Sequence, residues 1–501
     1  MKFIHALLFI LSMTTFLKAQ HEAGHLEVEA TSFKSASGQT IQAQQGQLWV
    51  PENRNNQQSD VIAISFVHLK STNSKPQSPI IYLEGGPGSS CTWQAGNPDY
   101  LDYWLPFLSV SDVILLDQRG TGQGSERVLH IWQNEIPSDI FVSQEKANEH
   151  FLNIAREAAP ALKAKGVDLN GYTSKQSAED MEDLRKKLGI QQWTLFGFSY
   201  GTHLGQAYLR YFEDRVANAI LVGVEGPNHT YKLPLSMDQQ FRKIALMAQQ
   251  DPAISKEVPD LEALYKRVIK KLEQNPIELS FTSPLTGQPM PMKIGPFGLR
   301  VIMRIDIGDA SDIPVFPRLL YAIDQGDYSS LQWFIQKRIT LPFGVQGMGT
   351  TMDLASGVSP ERRAQIAKEE KETLFPGVAN VPLDIYDKIP EVWPNPDLGE
   401  EFRSAMTTAV PTLFMSGTLD CNTPPFQAEE VRWGFSNGQH IVVRNAGHEQ
   451  ILRHPQAIDK ILDFLKGENV DGFNLSFPAL KFIPLQGTDS EVWHPALGPK
   501  E

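Results

Sequence analysis

The chain has 501 residues, 41% hydrophobic and 21% charged, with a formal charge of −13. This is ordinary globular composition, enough for one large domain with an insertion or for two domains. The acidic balance and the lack of a basic patch exclude nucleic acid as a partner. Two cysteines, Cys91 and Cys421, are too few for a disulfide scaffold or a thiolate zinc site, and no metal motif is present.

The chain opens with Lys2, an apolar run over residues 3–17, and Leu17-Lys18-Ala19. A basic start, a short apolar run and small residues at its end predict a signal peptide over 1–19. The run is too short for a comfortable membrane span, and no later segment is apolar enough to insert stably. The expected mature chain is therefore periplasmic or secreted. In such a compartment Cys91 and Cys421 can either pair or remain two small buried thiols, and the sequence leaves both open.

Residues 47–50 and 61–67 predict an antiparallel opening pair of strands. A buried strand over 79–83 ends in Glu84-Gly85-Gly86-Pro87-Gly88, and another over 112–116 ends in Asp117-Gln118-Arg119-Gly120-Thr121-Gly122. The second turn lacks the spacing of a phosphate loop and is expected to order the sheet edge. Residues 177–188 form an amphipathic helix closed by Gly189. A strand over 193–196, a helix over 203–210 and a strand over 219–224 follow. Near-continuous apolar strands separated by helices predict a mostly parallel sheet covered on both faces.

The alternation then stops, and residues 225–408 read as mainly helical. Ser236-Met237-Asp238-Gln239 has a capping-box pattern. Leu261, Leu264, Tyr265, Val268, Ile269 and Leu272 form a helical stripe. Strand patterns resume at 412–416 and 441–443, and a last helix starts at Pro455 and ends at Gly467. The expected organisation is a core in two parts, 20–224 and 409–467, with a cap over 225–408. A tail over 468–501 carries enough apolar residues to pack at least partly on the core.

Between the 193–196 strand and its helix lies Gly197-Phe198-Ser199-Tyr200-Gly201. A serine in a tight strand-to-helix turn exposes its hydroxyl at the sheet edge, next to the positive end of a helix. Crowding in that turn demands the small neighbours Gly197 and Gly201. A serine hydroxyl needs a base, and the base needs an orienting acid. In this architecture the chain order is serine, acid, histidine. Asp420 follows the 412–416 strand and His448 follows the 441–443 strand, so Ser199, Asp420 and His448 are the expected triad. The oxyanion donors are expected to be the N–H of Tyr200 and that of Gly86, with Gly85 as the alternative. His203 is expected to be a packed or hydrogen-bonded structural residue.

Together, G-G-P-G, D-Q-R-G-T-G, G-F-S-Y-G-T, a late G-T-L-D and a terminal G-H resemble the proline iminopeptidase and tripeptidyl aminopeptidase group of α/β-hydrolases. The resemblance covers about residues 49–466. It implies an α/β-hydrolase fold with an eight-stranded sheet and a helical cap between the sixth and seventh strands. It also implies a metal- and cofactor-free acyl-enzyme route that removes N-terminal residues or short peptides. Glu84 stands where iminopeptidases usually carry histidine, which points towards the tripeptidyl branch or another branch of the group. The family binds the substrate's free amine with carboxylates of the cap, and Glu225 is one candidate here, a capping or hinge residue being the alternative. The readings that remain are an aminopeptidase, a carboxylesterase or related acyl hydrolase with the same triad, and a non-catalytic binding protein. An intact Ser199 argues against the last.

Overall fold

The computed structural model describes residues 21–122, 131–132, 135–388, 393 and 396–487. The expected signal peptide over 1–19 lies outside the described residues. Ten strands form the main sheet: β1 (Leu26–Lys34), β2 (Thr40–Pro51), β3 (Val61–Leu69), β4 (Gln77–Leu83), β5 (Ser111–Leu116), β6 (Trp193–Phe198), β7 (Val216–Val222), β8 (Thr412–Gly417), β9 (Gly438–Arg444) and β10 (Asn474–Ser476). Their spatial order is β1-β2-β3-β5-β4-β6-β7-β8-β9-β10. The strands from β4 onward pair in parallel, while β1, β2 and β3 are antiparallel additions. The eight strands implied by resemblance are β2 to β9. The sheet exceeds that expectation by one strand at each edge, β1 and β10. Both edge strands are largely polar or exposed, so neither shows the apolar run that marks a central strand.

β4 to β8 are almost entirely buried because helices cover both faces. Helix α1 (Ser174–Lys187) and helix α2 (Tyr200–Phe212) pack with Leu195, Leu221 and Tyr172 in one cluster. Helix α7 (Ala457–Leu465) packs on the other face with Ile441 and Val443. α7 begins two residues after Pro455, because a 3-10 turn over His448–Arg453 intervenes. The order β5-β4-β6 reverses the winding direction at β4. Crevices form at the carboxyl ends of strands beside such a reversal, and the loops after β4 and β6 carry Gly86 and Ser199.

Between β7 and β8 the chain forms mainly helices, among them α3 (Leu235–Gln250), α4 (Leu261–Gln274), α5 (Pro296–Asp306) and α6 (Gly347–Ser356). All six residues of the α4 stripe are buried. The capping-box expectation at Ser236 fails. α3 starts at Leu235 without a side-chain cap from its own segment, and Glu369 Oε2 accepts the Leu235 N–H at 3.1 Å. A distant carboxylate does what the local motif promised. An unexpected hairpin pairs Ile277–Thr282 with Pro289–Ile294.

The inserted block divides between two packing units. Its first part builds a cluster with Phe241, Leu264, Ile302 and Phe316 that also takes in Ile140 and Phe141 from before the elbow. Met348 and Met352 of α6, with Tyr386 and Trp393, join the core cluster beneath the sheet instead. The tail strengthens the first unit. After β10 it places Phe482, Ile483 and Leu485 in the cap cluster, with the Ile483 N–H donating to Pro314 O at 3.1 Å.

Candidate active site

The glycines of the elbow are there because nothing larger fits. A Cβ on Gly201 would lie 1.9 Å from Leu83 O, and one on Gly197 would lie 2.5 Å from Gly201 O. This close approach of β4, β6 and α2 forces Ser199 to φ 54°, ψ −125°, a region that non-glycine residues seldom occupy. Its N–H donates to Val222 O at 2.9 Å and its carbonyl accepts the Thr202 N–H at 2.8 Å. The side chain therefore projects at the first turn of α2, where N–H groups lack intrahelical acceptors. Tyr200 supplies one such N–H.

The loop after β4 lies against this serine. A Cβ on Gly85 would be 2.9 Å from Ser199 Cβ and 3.5 Å from its Oγ. The Gly85 N–H already donates to Glu84 Oε1 at 2.9 Å. Among the described residues no acceptor takes the Gly86 N–H, which separates the two alternatives in favour of Gly86. Glu84 also accepts from Tyr82 Oη and Gln94 Nε2 at 3.3 and 3.1 Å. Burial raises its carboxyl above the usual range, against those hydrogen bonds.

The turn over 117–122 holds this loop in place, a more specific task than ordering the sheet edge. Asp117 Oδ1 accepts the N–H groups of Cys91 and Thr92 at 2.8 and 2.9 Å, and Gln118 Nε2 donates to Glu84 O at 3.0 Å. Arg119 is wholly buried. It donates to both oxygens of Asp180 at 2.8 and 2.7 Å and to the carbonyls of Glu52 and Gly171 at 2.6 Å.

Asp420 and His448 leave β8 and β9 at the same edge and meet. His448 Nδ1 donates to Asp420 Oδ2 over 2.7 Å. Thr423 Oγ1 donates to the same oxygen at 2.5 Å, and the N–H groups of Asn422 and Thr423 donate to Oδ1 at 2.8 and 3.0 Å. Burial alone would raise the Asp420 carboxyl, but the charge of His448 and these hydrogen bonds outweigh it and hold it below the usual carboxylate range. Burial would lower His448, yet the carboxylate of Asp420 outweighs it and raises the imidazole, with Glu449 adding and Lys232 opposing. The imidazole packs against Phe198, ring centroids 5.0 Å apart and planes tilted by 38°. A Cβ on Gly223 would come within 3.0 Å of His448 Cε1.

The cap braces both loops, which the sequence did not reveal. Gly308 O accepts the His448 N–H at 2.9 Å, and Gln240 Nε2 donates to Leu419 O at 2.7 Å. Cys91 and Cys421 are separate, buried free thiols. His203 is fully buried between Ser356 Oγ at 2.9 Å and Gly226 O at 3.2 Å, the structural role expected of it.

Glu225 is buried two residues after Gly223 and is ion-paired with Lys232. Burial pushes its carboxyl up, but Lys232 and two histidines bring it below the usual range. Asp353 on α6 lies within its electrostatic reach. Burial and the negative charge of Glu225 raise the Asp353 carboxyl well above the usual range, against Lys232. Among the described residues no hydrogen-bond donor or cation binds the Asp353 side chain. Nothing in its local sequence, Met352-Asp353-Leu354, marks it out.

Among the described residues one group could hold a metal ion, His21, His25 and Glu27, with ligand atoms within 4.8 Å of one another. It sits at the start of β1, on the antiparallel edge of the sheet.

The model of the alpha/beta hydrolase fold family matches residues 78–455. The chain belongs to the α/β-hydrolase family. A tripeptidyl aminopeptidase of Streptomyces lividans is 27% identical over 188 residues, which cover 36% of this chain and 35% of the relative. A probable proline iminopeptidase of Leptolyngbya boryana is 26% identical over 164 residues, or 33% of this chain and 37% of the relative. The chain thus aligns with about a third of the length of these two relatives. A proline iminopeptidase of Aspergillus aculeatus is 23% identical over 436 residues, covering 79% of this chain and 87% of the relative.

Proposed function

We propose that this α/β-hydrolase is a serine aminopeptidase, exported to the periplasm or the medium, that works through an acyl-enzyme. The observation that carries the reading is the hydrogen-bonded Asp420–His448 pair at the same sheet edge as Ser199. In this mechanism Ser199 Oγ attacks the carbonyl carbon as His448 Nε2 takes its proton. Asp420 fixes the imidazole so that Nε2 accepts, and stabilises the imidazolium that forms. The N–H groups of Gly86 and Tyr200 receive the negative oxygen. Collapse expels the amine, which leaves with the proton from His448. A water activated by the same nitrogen then releases the acyl group and restores Ser199.

The preference for a free N-terminus rests on Asp353 and Glu225 and on what the relatives are named for. Glu225 is already neutralised by Lys232. An ammonium group would supply the counter-charge that Asp353 lacks. The test compares prolyl-, alanyl- and tripeptidyl-arylamides with their N-acetylated forms and with p-nitrophenyl esters. Arylamides with a free amine should be cleaved, acetylation should abolish cleavage, and Asp353→Asn should raise KM for them at least tenfold. Equal cleavage of acetylated substrates, or cleavage of esters alone, refutes the aminopeptidase reading.

A further inference from the structure

A cavity of about 520 Å³ lies under the cap, walled mainly by apolar side chains such as Phe141, Phe297, Ile302 and Val378. Two of its polar wall residues touch the loops described above. Gln346 Nε2 donates to Gly88 O at 2.7 Å, just beyond the Gly86 loop. Asn422, whose N–H donates to Asp420, contributes the other contact. The cavity therefore abuts the serine's crevice from the Gly86 side and from the Asp420 side.

Two arginines line it, and they differ. Arg338 is neutralised by Asp306. Arg304 on α5 donates only to neutral acceptors: Nη1 to Asn422 Oδ1 at 2.7 Å and Nε to Ala379 O at 3.4 Å. Among the described residues no carboxylate pairs with Arg304 and no acceptor takes its Nη2. A guanidinium without a counter-ion on an otherwise apolar wall keeps donors free for an incoming anion.

Helix α6 joins this cavity to the acidic cluster. Gln346 is the N-cap of α6, and Thr350 and Asp353, three residues apart, share one face of the helix that follows it. Gln346 and Thr350 line the cavity, and Asp353 stands one turn further on. From the N-cap Gln346, which lines the cavity with Arg304, to Asp353 the chain advances about 10 Å, the length of about three extended residues. One end of the site thus presents a carboxyl without a hydrogen-bond partner and the other a guanidinium without a counter-ion. The guanidinium repels an ammonium and attracts a carboxylate, which fixes the direction of a bound peptide.

We propose that Arg304 anchors the free C-terminal carboxylate of a short peptide substrate, of two or three residues, whose apolar side chain fills the cavity. This rests on the aminopeptidase reading for the orientation of the amine. It adds that the substrate is recognised at both ends, so that peptides longer than the site are poor ligands.

The test uses the full chain carrying Ser199→Ala, which cannot turn substrate over, and titrates it by calorimetry with Ala-Pro-Leu as the free acid and as its C-terminal amide. The acid should bind at least tenfold more tightly, the range expected for one charge-assisted contact. Adding Arg304→Gln should bring the two to equal affinity, and adding Arg304→Lys should keep part of the preference. Melting temperatures establish that each variant is folded. Equal affinity of acid and amide with Arg304 intact overturns the proposal, as does a preference that survives Arg304→Gln or the failure of the acid to bind. A protein that cleaves esters but no arylamide fails the aminopeptidase reading alone, because the acid–amide comparison reads the anchor without catalysis.

Discussion

Gly85→Ala isolates the geometry between the loop after β4 and the nucleophile. The added methyl would stand 2.9 Å from Ser199 Cβ and 3.3 Å from Phe198 O. Carbon atoms rest about 3.5–4.0 Å apart, so the overlap is about 0.6 Å or more. Gly85 does not have a positive φ, so the contact and not backbone strain sets the effect. The loop cannot simply retreat, because Gln118 holds Glu84 O at 3.0 Å and Asp117 holds the N–H groups of Cys91 and Thr92. The displacement is therefore shared with Ser199. A misplacement of about 1 Å costs roughly 10²-fold in rate. Gly85→Ala should accordingly lower kcat some 30- to 100-fold, about 2–3 kcal/mol of transition-state stabilisation. The assay is kcat and KM on a p-nitrophenyl ester, together with the rate of Ser199 labelling by a fluorophosphonate. Gly96→Ala is the control, since no atom lies within 4 Å of its added methyl. A Gly85→Ala enzyme within threefold of the parent in both readouts refutes the reasoning.

Asp420→Asn should cost about 10⁴-fold in kcat while leaving the melting temperature within a few degrees. The pH profile carries a sign. His448 must be neutral to accept the proton, and its pKa is raised, so the acid limb of kcat/KM should lie above the ordinary histidine value of about 6.5. Asp420→Asn leaves burial as the dominant influence on His448, and the limb should move to lower pH. A limb that stays or rises contradicts this account. Arg119→Met should destabilise the fold by about 3 kcal/mol, at the lower end for a broken buried pair because Asp180 retains Arg54 Nη1 at 2.7 Å. Urea unfolding measures this, and a loss below about 1 kcal/mol would reject the assigned role.

What the sequence disclosed followed from local constraints. Gly197 and Gly201 are dictated by backbone approach within one turn, and Asp420 and His448 each lie a few residues past an apolar strand. The helix over 261–274 could be read because one stripe decides its burial. The rest arises from segments far apart in the chain. Asp353 gains its meaning from Glu225 and Lys232, more than a hundred residues away, and Arg304 from a cavity walled by several elements. The capping box at Ser236 shows the converse, since a correct local pattern lost to Glu369 once the chain had folded. The edge strands β1 and β10 were missed because exposure on one side removes the apolar continuity that announces a buried strand.

The tail has a consequence for how substrate gains entry. It is stitched at two points, as the outermost strand β10 of the core and as Phe482, Ile483 and Leu485 within the cap cluster. Swinging the cap clear of the sheet would require tearing one of these attachments loose. The tail therefore ties the cap to the sheet, so any opening motion must leave both attachments in place or break one of them.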